Sequence, residues 1–284
     1  MKRLLIPLLT IALASCEKPT IPNSLSQSNV LLHVSPYKQI AHTRGDKLED
    51  DISKLNVMFF QKGTSVKAFD KVKTQTSFDD DFGTLALSLP SGSYDYIIVG
   101  HSSARSATIA SNKVSFTAQD GRKITDTFWR RDTLTVTDTD DVERDVQLQR
   151  ATAMFRMVIT DTVPPAVTQF KFEYQGGSAD FHPATGIGIT KSKQSEIRDL
   201  TESNAYEIYT FPRADSDKLT ITATALNADG AVVSTRIFED VPISARTITQ
   251  YTGKFFDGET KTIGSSTFTI TLNTEWDAVN EYTF

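Results

Sequence analysis

Short runs of β-branched and aromatic residues, separated by glycine, proline, aspartate and asparagine, dominate the sequence from residue 29 onward. Side chains of the first kind favour strands, and the separating residues favour turns. Apolar residues alternate in several runs, so that Leu85, Leu87 and Leu89 share one face of a predicted strand. We find no long amphipathic helical pattern, and residues 191–204 are predicted to form a polar loop. The pattern therefore predicts an all-β fold.

The predicted strands fall into two sets of similar size. The first set covers 29–35, 53–61, 84–89, 93–100, 109–117, 123–128, 132–137 and 142–149. The second covers 151–160, 167–174, 206–211, 218–226, 231–238, 246–255 and 267–273. Because each set is long enough to bury its own core, we expect two β-sandwich domains in tandem, at 29–149 and 150–284.

The N-terminus has the features of an export signal. Lys2 and Arg3 precede an apolar run from Leu4 to Leu13, which is too short to span a bilayer. The run ends in Leu13-Ala14-Ser15-Cys16, which resembles a bacterial lipobox, and Cys16 is the single cysteine of the chain. We therefore expect a signal peptide at 1–15, a lipidated tether at 16–28 that begins with acylated (palmitate-bearing) Cys16, and no disulfide in the mature chain.

The charge balance argues against a nucleic-acid binder. The chain has 30 Lys and Arg against 35 Asp and Glu, and removal of Lys2 and Arg3 with the signal peptide leaves 28 against 35, or −7. Nucleic-acid binding relies on a basic stripe or patch, and none stands out in this sequence. Anchoring to a membrane through Cys16 does not depend on such charge.

No residue pattern predicts catalysis, a cofactor or a metal. None of the four histidines has a second ligand at a metal-binding spacing; they are His33, His42, His101 and His182. Asp79–Asp81 and Asp138–Asp141 are acidic clusters without the spacing of a calcium loop, so they are interpreted as solvated turns, with a weak ion site as the alternative. Trp129 and Trp276 are either core residues, the favoured interpretation, or platforms for stacking a glycan.

The order of several motifs points to a family. The lipobox is followed by Leu55-Asn56-Val57-Met58-Phe59-Phe60, then by the run from Leu87 to Gly100, the run from Val146 to Ile159 and the run from Phe268 to Trp276. Together they resemble the fimbrillin-like lipoproteins of type V pili, and most closely the anchor-type subunits. The resemblance implies two transthyretin-like (Greek-key) sandwiches and a fimbrial subunit that supports cell adhesion, is lipid-anchored in the outer membrane and associates with other fimbrial subunits.

The resemblance also implies assembly by strand addition, in which an extended segment pairs with an exposed sheet edge. In such families an Arg-specific protease removes an N-terminal segment from stalk subunits, whereas anchor subunits keep their lipid. Arg44, in the polar segment 42–46, is the candidate processing site here, with a plain exposed loop residue as the alternative. The candidate strand-exchange positions are Val30, Leu32 and Val34 near the N-terminus and Phe268, Ile270 and Leu272 near the C-terminus.

We therefore expect a non-enzymatic, lipid-anchored pilus subunit in an anchor or accessory role. The rival interpretation is a surface glycan-binding lipoprotein of a nutrient-uptake system, which can also be built from β-sandwiches. The two differ in their aromatic residues: a glycan binder exposes two or three on one flat face, whereas a pilus subunit buries them.

Overall fold

The computed structural model describes residues 28–36, 48–118, 124–214, 217–257, 262–263, 269–271 and 278–283. Within these ranges the helical structure is limited to one 3₁₀ turn, Leu48–Asp50, and all other regular elements are strands. No helix in these ranges is long and apolar enough to cross a membrane. The predicted all-β fold is confirmed.

The first half of the chain contributes nine strands: β1 (Val30–Pro36), β2 (Lys54–Gln61), β3 (Lys73–Thr76), β4 (Thr84–Leu87), β5 (Gly92–His101), β6 (Thr108–Ala110), β7 (Lys113–Ser115), β8 (Thr127–Val136) and β9 (Val142–Arg150), counted among the described residues. They form a large sheet in the order β3-β2-β5-β8-β9-β1-β4 and a short hairpin, β6–β7.

The large sheet folds over on itself between β8 and β9. These two strands pair only at Phe128 with Arg150 and at Trp129 with Gln149, and beyond those positions they separate. The strands β3-β2-β5-β8 therefore face β9-β1-β4, and apolar side chains from both layers form one buried cluster. This is the packing of a β-sandwich.

The second half forms two five-stranded sheets, ordered β14-β10-β17-β20-β19 and β13-β11-β15-β16-β18. They enclose an aromatic core that includes Phe155, Phe170, Phe238 and Tyr251. The strands are β10 (Ala153–Ile159), β11 (Gln169–Ser178), β12 (Asp180–Phe181), β13 (Lys191–Asp199), β14 (Ala205–Thr210), β15 (Asp217–Leu226), β16 (Val232–Ile243), β17 (Thr247–Gly253), β18 (Thr262–Ile263), β19 (Thr269–Thr271) and β20 (Ala278–Thr283).

The two halves repeat one arrangement of strands. The triplet β4-β1-β9 corresponds to β14-β10-β17, because the middle strand of each pairs antiparallel with one neighbour and parallel with the other. The row β3-β2-β5-β8 corresponds to β13-β11-β15-β16. The second half differs in carrying β18 beside β16 and β20–β19 beside β17. The transthyretin-like description and the domain boundary at 149/150 remain predictions.

Several predicted elements need correction. Residues 191–204 were expected to form a polar loop, but Lys191–Asp199 is strand β13, paired along β11. The predicted strands 123–128 and 132–137 are parts of one strand, β8, which pairs with β5 from Thr127 to Val136. The predicted strand 109–117 is the hairpin of β6 and β7. The strands β3, β12, β18 and β20 have no counterpart among the predicted strands.

Strand β13 is polar because of where it lies. Among the described strands it lies at the edge of its sheet, beside β11, and its inward position Glu196 is a carboxylate with only 1% of its surface exposed. The Tyr174 hydroxyl donates to Glu196 Oε1 at 2.5 Å, and Arg198 pairs with the other carboxylate oxygen. Burial and the Glu196 charge raise the pKa of Tyr174 well above its ordinary value. The paired charges let a polar segment close the edge of the core.

An apolar joint connects the two halves. Strand β12 of the second half pairs with β7 of the first, at Asp180 with Ser115 and Phe181 with Val114. Buried side chains from both halves pack there, with the ring of Phe181 6.0 Å from that of Trp129. The Trp129 indole N–H donates to the Pro183 carbonyl at 2.9 Å. The two halves are therefore connected by a buried, packed apolar cluster rather than by a loose linker.

A polar network lies beside this apolar joint. The Arg150 guanidinium contacts Asp126 at 2.9 Å and lies over the Phe128 ring at 4.6 Å. Thr152, two residues farther along the chain, donates its hydroxyl to the same carboxylate at 2.8 Å. The chain crosses from one half to the other through residues that are fixed by paired charges.

We expect Gly186→Ala to destabilise the joint. Gly186 has a φ of +74°, and a Cβ there would lie 2.3 Å from Trp129 Cη2. Gly230 is a matched control, because its φ is +78° and nothing lies within 4 Å of its Cβ position. Both substitutions should lower the free energy of unfolding by about 1–2 kcal/mol, because alanine disfavours the left-handed backbone. Gly186→Ala should lower it by about 1–3 kcal/mol more through overpacking. Urea unfolding of both variants measures the difference, and equal losses of stability would mean that the joint is loose.

Candidate strand-exchange site

Strand β1 lies between two other strands. It pairs antiparallel with β4, from Val30 opposite Leu87 to His33 opposite Thr84, and parallel with β9 along its full length. Both edges of β1 are therefore hydrogen-bonded. The predicted N-terminal strand is confirmed, and it is an interior strand of its sheet.

The three candidate positions of β1 point into the core. Val30, Leu32 and Val34 have 1%, 0% and 8% of their surfaces exposed and belong to the buried cluster of the first half. Burial of side chains of this size contributes about 1.5–3 kcal/mol each. The structure places these residues together on one face, as the alternation of the sequence predicts.

Hydrogen bonds outside the ladder fix both ends of β1. At its start the Asn29 side chain donates to the Leu89 carbonyl at 2.8 Å and accepts from the Leu89 N–H at 2.9 Å. Near its end the Val34 N–H donates to the Gly83 carbonyl at 2.7 Å. On the outward face, His33 Nε2 lies 2.8 Å from Glu143 of β9. The Asn29 clamp is a part of the site that the sequence analysis missed, since a single asparagine before a strand carries no distinctive signal.

Removal of β1 would open a groove between β4 and β9. Its walls would be Leu85 and Leu87 from one strand and Val146 and Leu148 from the other, all now buried. The backbone groups that β4 and β9 direct toward β1 would lose their partners. Such a groove invites another strand, because unpaired backbone groups beside apolar pockets form a template for pairing.

The C-terminal candidates lie at the opposite end of the chain. Ile270 belongs to β19, which pairs with β20, while Phe268 and Leu272 lie outside the described residues. It is β20 that joins the sandwich, parallel to β17, and its Tyr282 stacks on Tyr251 at 4.4 Å. The sequence analysis missed this strand because polar residues occupy its middle. The predicted lipidation and processing residues, Cys16 and Arg44, also lie outside the described residues.

The histidines that the structure describes have structural partners. His101 is fully buried; its Nε2 lies 2.8 Å from Asn56 Oδ1, and its Nδ1 accepts from the Ser103 N–H. Burial, with a contribution from Lys54, lowers the pKa of His101 to about 3, so the ring stays neutral. His182 Nδ1 accepts from the Ala184 N–H within a turn. His42 is outside the described residues.

The acidic clusters behave as turns where they are described. Asp79 accepts from the Thr76 N–H at 2.7 Å, and Asp140 accepts from the Thr137 hydroxyl at 3.2 Å. Among the described residues, no group of three or more histidine, cysteine or acidic side chains is arranged to hold a metal ion. The local hydrogen bonds account for the positions of both carboxylates.

The aromatic residues bear on the rival glycan-binding interpretation. Trp129 is buried in the joint, which supports its interpretation as a core residue, and Trp276 is outside the described residues. Of the large apolar side chains that the described ranges leave exposed, Phe78 alone is aromatic. That part of the chain therefore has no flat aromatic platform for a sugar ring.

Comparison with protein families gives a match over almost the whole chain. The model of the family described as "Fimbrillin-A associated anchor proteins Mfa1 and Mfa2" matches residues 15–282. No curated protein matches the sequence. The family resemblance inferred from the motifs is confirmed.

Distant likenesses to solved structures accompany that match. The fimbrial anchor protein Mfa2 from Porphyromonas gingivalis is 12% identical, with 72% of this chain and 80% of that chain covered and a TM-score of 0.38. The tip fimbrial protein Mfa3 from the same organism is 14% identical, with 74% of this chain and 81% of that chain covered and a TM-score of 0.36. A candidate cell adhesion protein from Bacteroides eggerthii is 11% identical, with 89% of this chain and 96% of that chain covered and a TM-score of 0.47. These likenesses are too distant to carry an argument about function.

We predict that Leu32→Ala and Leu31→Ala differ sharply, although the residues are neighbours on β1. Leu32 is fully buried and Leu31 only half-buried. Leu32→Ala should lower the free energy of unfolding by about 2–5 kcal/mol through the cavity that it leaves, and Leu31→Ala by clearly less. Thermal and urea unfolding measure both. Similar small losses would show that β1 does not pack against the core.

Proposed function

We propose that this chain, which belongs to the family of fimbrillin-A associated anchor proteins, fixes a pilus to the outer membrane through a lipid on Cys16 and keeps β1 in its own sheet. Family membership makes it an anchor or accessory subunit of a pilus at the cell surface, where it associates with other fimbrial subunits. The lipid, the outer-membrane attachment and the retention of β1 are the proposed parts. The burial of β1 between β4 and β9 is the observation that carries the proposal.

The lipid supplies the membrane attachment in this proposal. Each buried methylene contributes roughly 0.8 kcal/mol, and one acyl chain alone holds a protein only marginally. A lipidated cysteine of the bacterial type carries two or three chains, which is enough for firm anchoring. Cys16 stands 14 residues before β1, so the intervening segment can serve as the tether between membrane and sandwich.

Retention of β1 separates an anchor from a polymerising subunit. In the described fold β1 fills the place between β4 and β9, so this groove is closed to a strand from another subunit. A cut after Arg44 would separate both Cys16 and β1 from the remainder of the covalent chain. An anchor needs the opposite, because its lipid and its first strand lie on the same segment, N-terminal to Arg44.

The proposed role is non-enzymatic and uses no cofactor. The match is to a family of fimbrial structural proteins. In addition, the described histidines and acidic clusters have hydrogen-bond partners that account for them structurally. Strand pairing and lipid attachment are sufficient for a subunit that links a fibre to a membrane.

We expect Cys16→Ala to abolish lipidation and release the protein from the membrane, because the lipid would be attached through the thiol sulfur. Ser15→Ala is the matched control, since it keeps a small residue at the cleavage site and leaves the thiol in place. Incorporation of labelled fatty acid and detergent partitioning report the outcome. Label on the Cys16→Ala protein would show that the lipid is attached elsewhere.

We expect the mature protein in surface fractions to begin at Cys16, and Arg44→Ala to leave its assembly unchanged. The reason is that an anchor must keep residues 16–44 attached. Lys47→Ala is a control for the loss of one positive charge nearby. Mass analysis of the mature N-terminus measures the outcome. Surface protein that begins at Gly45, together with loss of assembly in Arg44→Ala alone, would identify a stalk or tip subunit instead.

A further inference from the structure

Among the residues that the structure describes, one edge of the first sandwich is left open between β8 and β9. Strand β9 pairs with β1 over Val142–Leu148, but it pairs with β8 only at Gln149 and Arg150. Among the described residues, no strand pairs with the other edge of β9 before Gln149. The backbone groups along this edge form an obvious template for a further strand.

The internal repeat shows how the same edge is closed in the second sandwich. There β20 pairs in parallel with β17, the counterpart of β9, from Thr247 opposite Ala278 to Thr252 opposite Thr283. The added strand also contributes to the core, because Tyr282 is 3% exposed and stacks on Tyr251. A strand in this position therefore brings an apolar side chain into the space between the two layers.

In the first sandwich, charged residues lie at the corresponding place. Arg130 and Asp132 lie on the same face of β8 as the buried Phe128 and Leu134, because side chains two positions apart on a strand point the same way. Both therefore occupy inward-facing positions. Arg144 is likewise an inward-facing residue of β9, since it pairs with the buried Leu32. We call these three residues, Arg130, Asp132 and Arg144, the charged plug.

Two members of the charged plug form an ion pair on β8. The Arg130 guanidinium lies 2.9 Å from the Asp132 carboxylate. Burial would raise the pKa of Asp132, but the hydrogen bond from Arg130 and the charges of Arg130 and Arg144 bring it below its usual value. Burial raises the pKa of the neighbouring Tyr96 to about 12, with Asp132 adding to the rise and Arg130 and Arg144 opposing it.

An incoming strand would have to desolvate these charges. Charged side chains that point inward at an open sheet edge are a recognised means of preventing edge-to-edge association, because burial of a charge costs more than pairing returns. In the second sandwich, whose edge carries β20, Phe238 of β16 and Tyr251 of β17 are buried. The inward Arg236 of β16 is buried as well, and it donates to the Asp257 carbonyl at 3.1 Å. The charges of the first sandwich differ in remaining partly exposed, at an edge that no described strand covers.

We propose that the charged plug excludes a further strand from the β8–β9 edge, and that the strand it excludes belongs to a second copy of this chain. Identical copies carry identical open edges, so they are the partners against which each subunit needs protection. The protection is independent of the lipid and of the groove that β1 fills.

The test replaces the plug with apolar residues in the full chain. Arg130→Val, Asp132→Val and Arg144→Val are combined in a Cys16→Ala background, so that no lipid is present. Sedimentation velocity over a concentration series should show that the triple variant rises in mass toward a dimer or larger species, relative to the background protein. Hydrogen exchange should slow at the amides of residues 143–147 as the variant associates.

The controls isolate the inward face. Thr133→Val, Asp145→Val and Gln147→Val introduce the same residue on the outward face of the same strands and should leave the mass unchanged. The Arg144→Val variant, in which the changed residue is exposed, should associate weakly, and the Arg144→Lys variant should not associate. A folded triple variant with the same mass as the background, or association that leaves exchange at 143–147 unchanged, would overturn the proposal. If the triple variant does not fold, the single Arg144→Val and Arg144→Lys comparison decides in the same way.

Discussion

The pairing of β1 with strands on both sides is the interaction on which the first half depends. Without β1 the layer opposite β3-β2-β5-β8 would consist of two strands with a gap between them. Val30, Leu32 and Val34 fill that gap from the inside, and the Asn29 clamp and the Val34 hydrogen bond to Gly83 fix it at each end. One covalent segment would thus hold the lipid and complete the core. The proposed anchor role requires this coupling, since removal of the segment would remove both the lipid and β1.

The joint gives the subunit a continuous path between its halves. The pairing of β7 with β12, the packing of Trp129 against Phe181 and the ion pair of Arg150 with Asp126 lie side by side. A pull applied to one half would be resisted by a buried apolar surface rather than by a linker alone. The same packing indicates that each half depends partly on the other, so fragments divided near Arg150 would expose the joint to solvent.

The parts of the fold that follow from local patterning were predictable from the sequence, and the parts set by position in a sheet were not. Alternation identified β1 with its inward residues, and the Asn227–Gly230 turn joins β15 to β16 as its composition indicates. Strand β13 was missed because its inward position Glu196 is charged. Arg198, which pairs with Glu196, lies on the same strand, but the Tyr174 contact that also stabilises Glu196 comes from β11 and cannot be inferred from the local sequence. Pro90, Ser91 and Gly92 are residue types typical of a hairpin turn, yet the strands on either side of them, β4 and β5, lie in opposite layers. Nor did the sequence reveal that Arg130, Asp132 and Arg144 occupy inward positions along the same edge.

The most direct measurement of the central claim is hydrogen exchange, followed by peptide mass analysis, on protein recovered in its assembled form from the cell surface. If β1 remains in its own sheet, peptides that cover residues 30–36 will be present, and their amides will exchange as slowly as those of β5, which is also paired on both sides. Absence of these peptides, or fast exchange in them beside a protected β5, would contradict the account, because either result means that β1 has left the groove between β4 and β9.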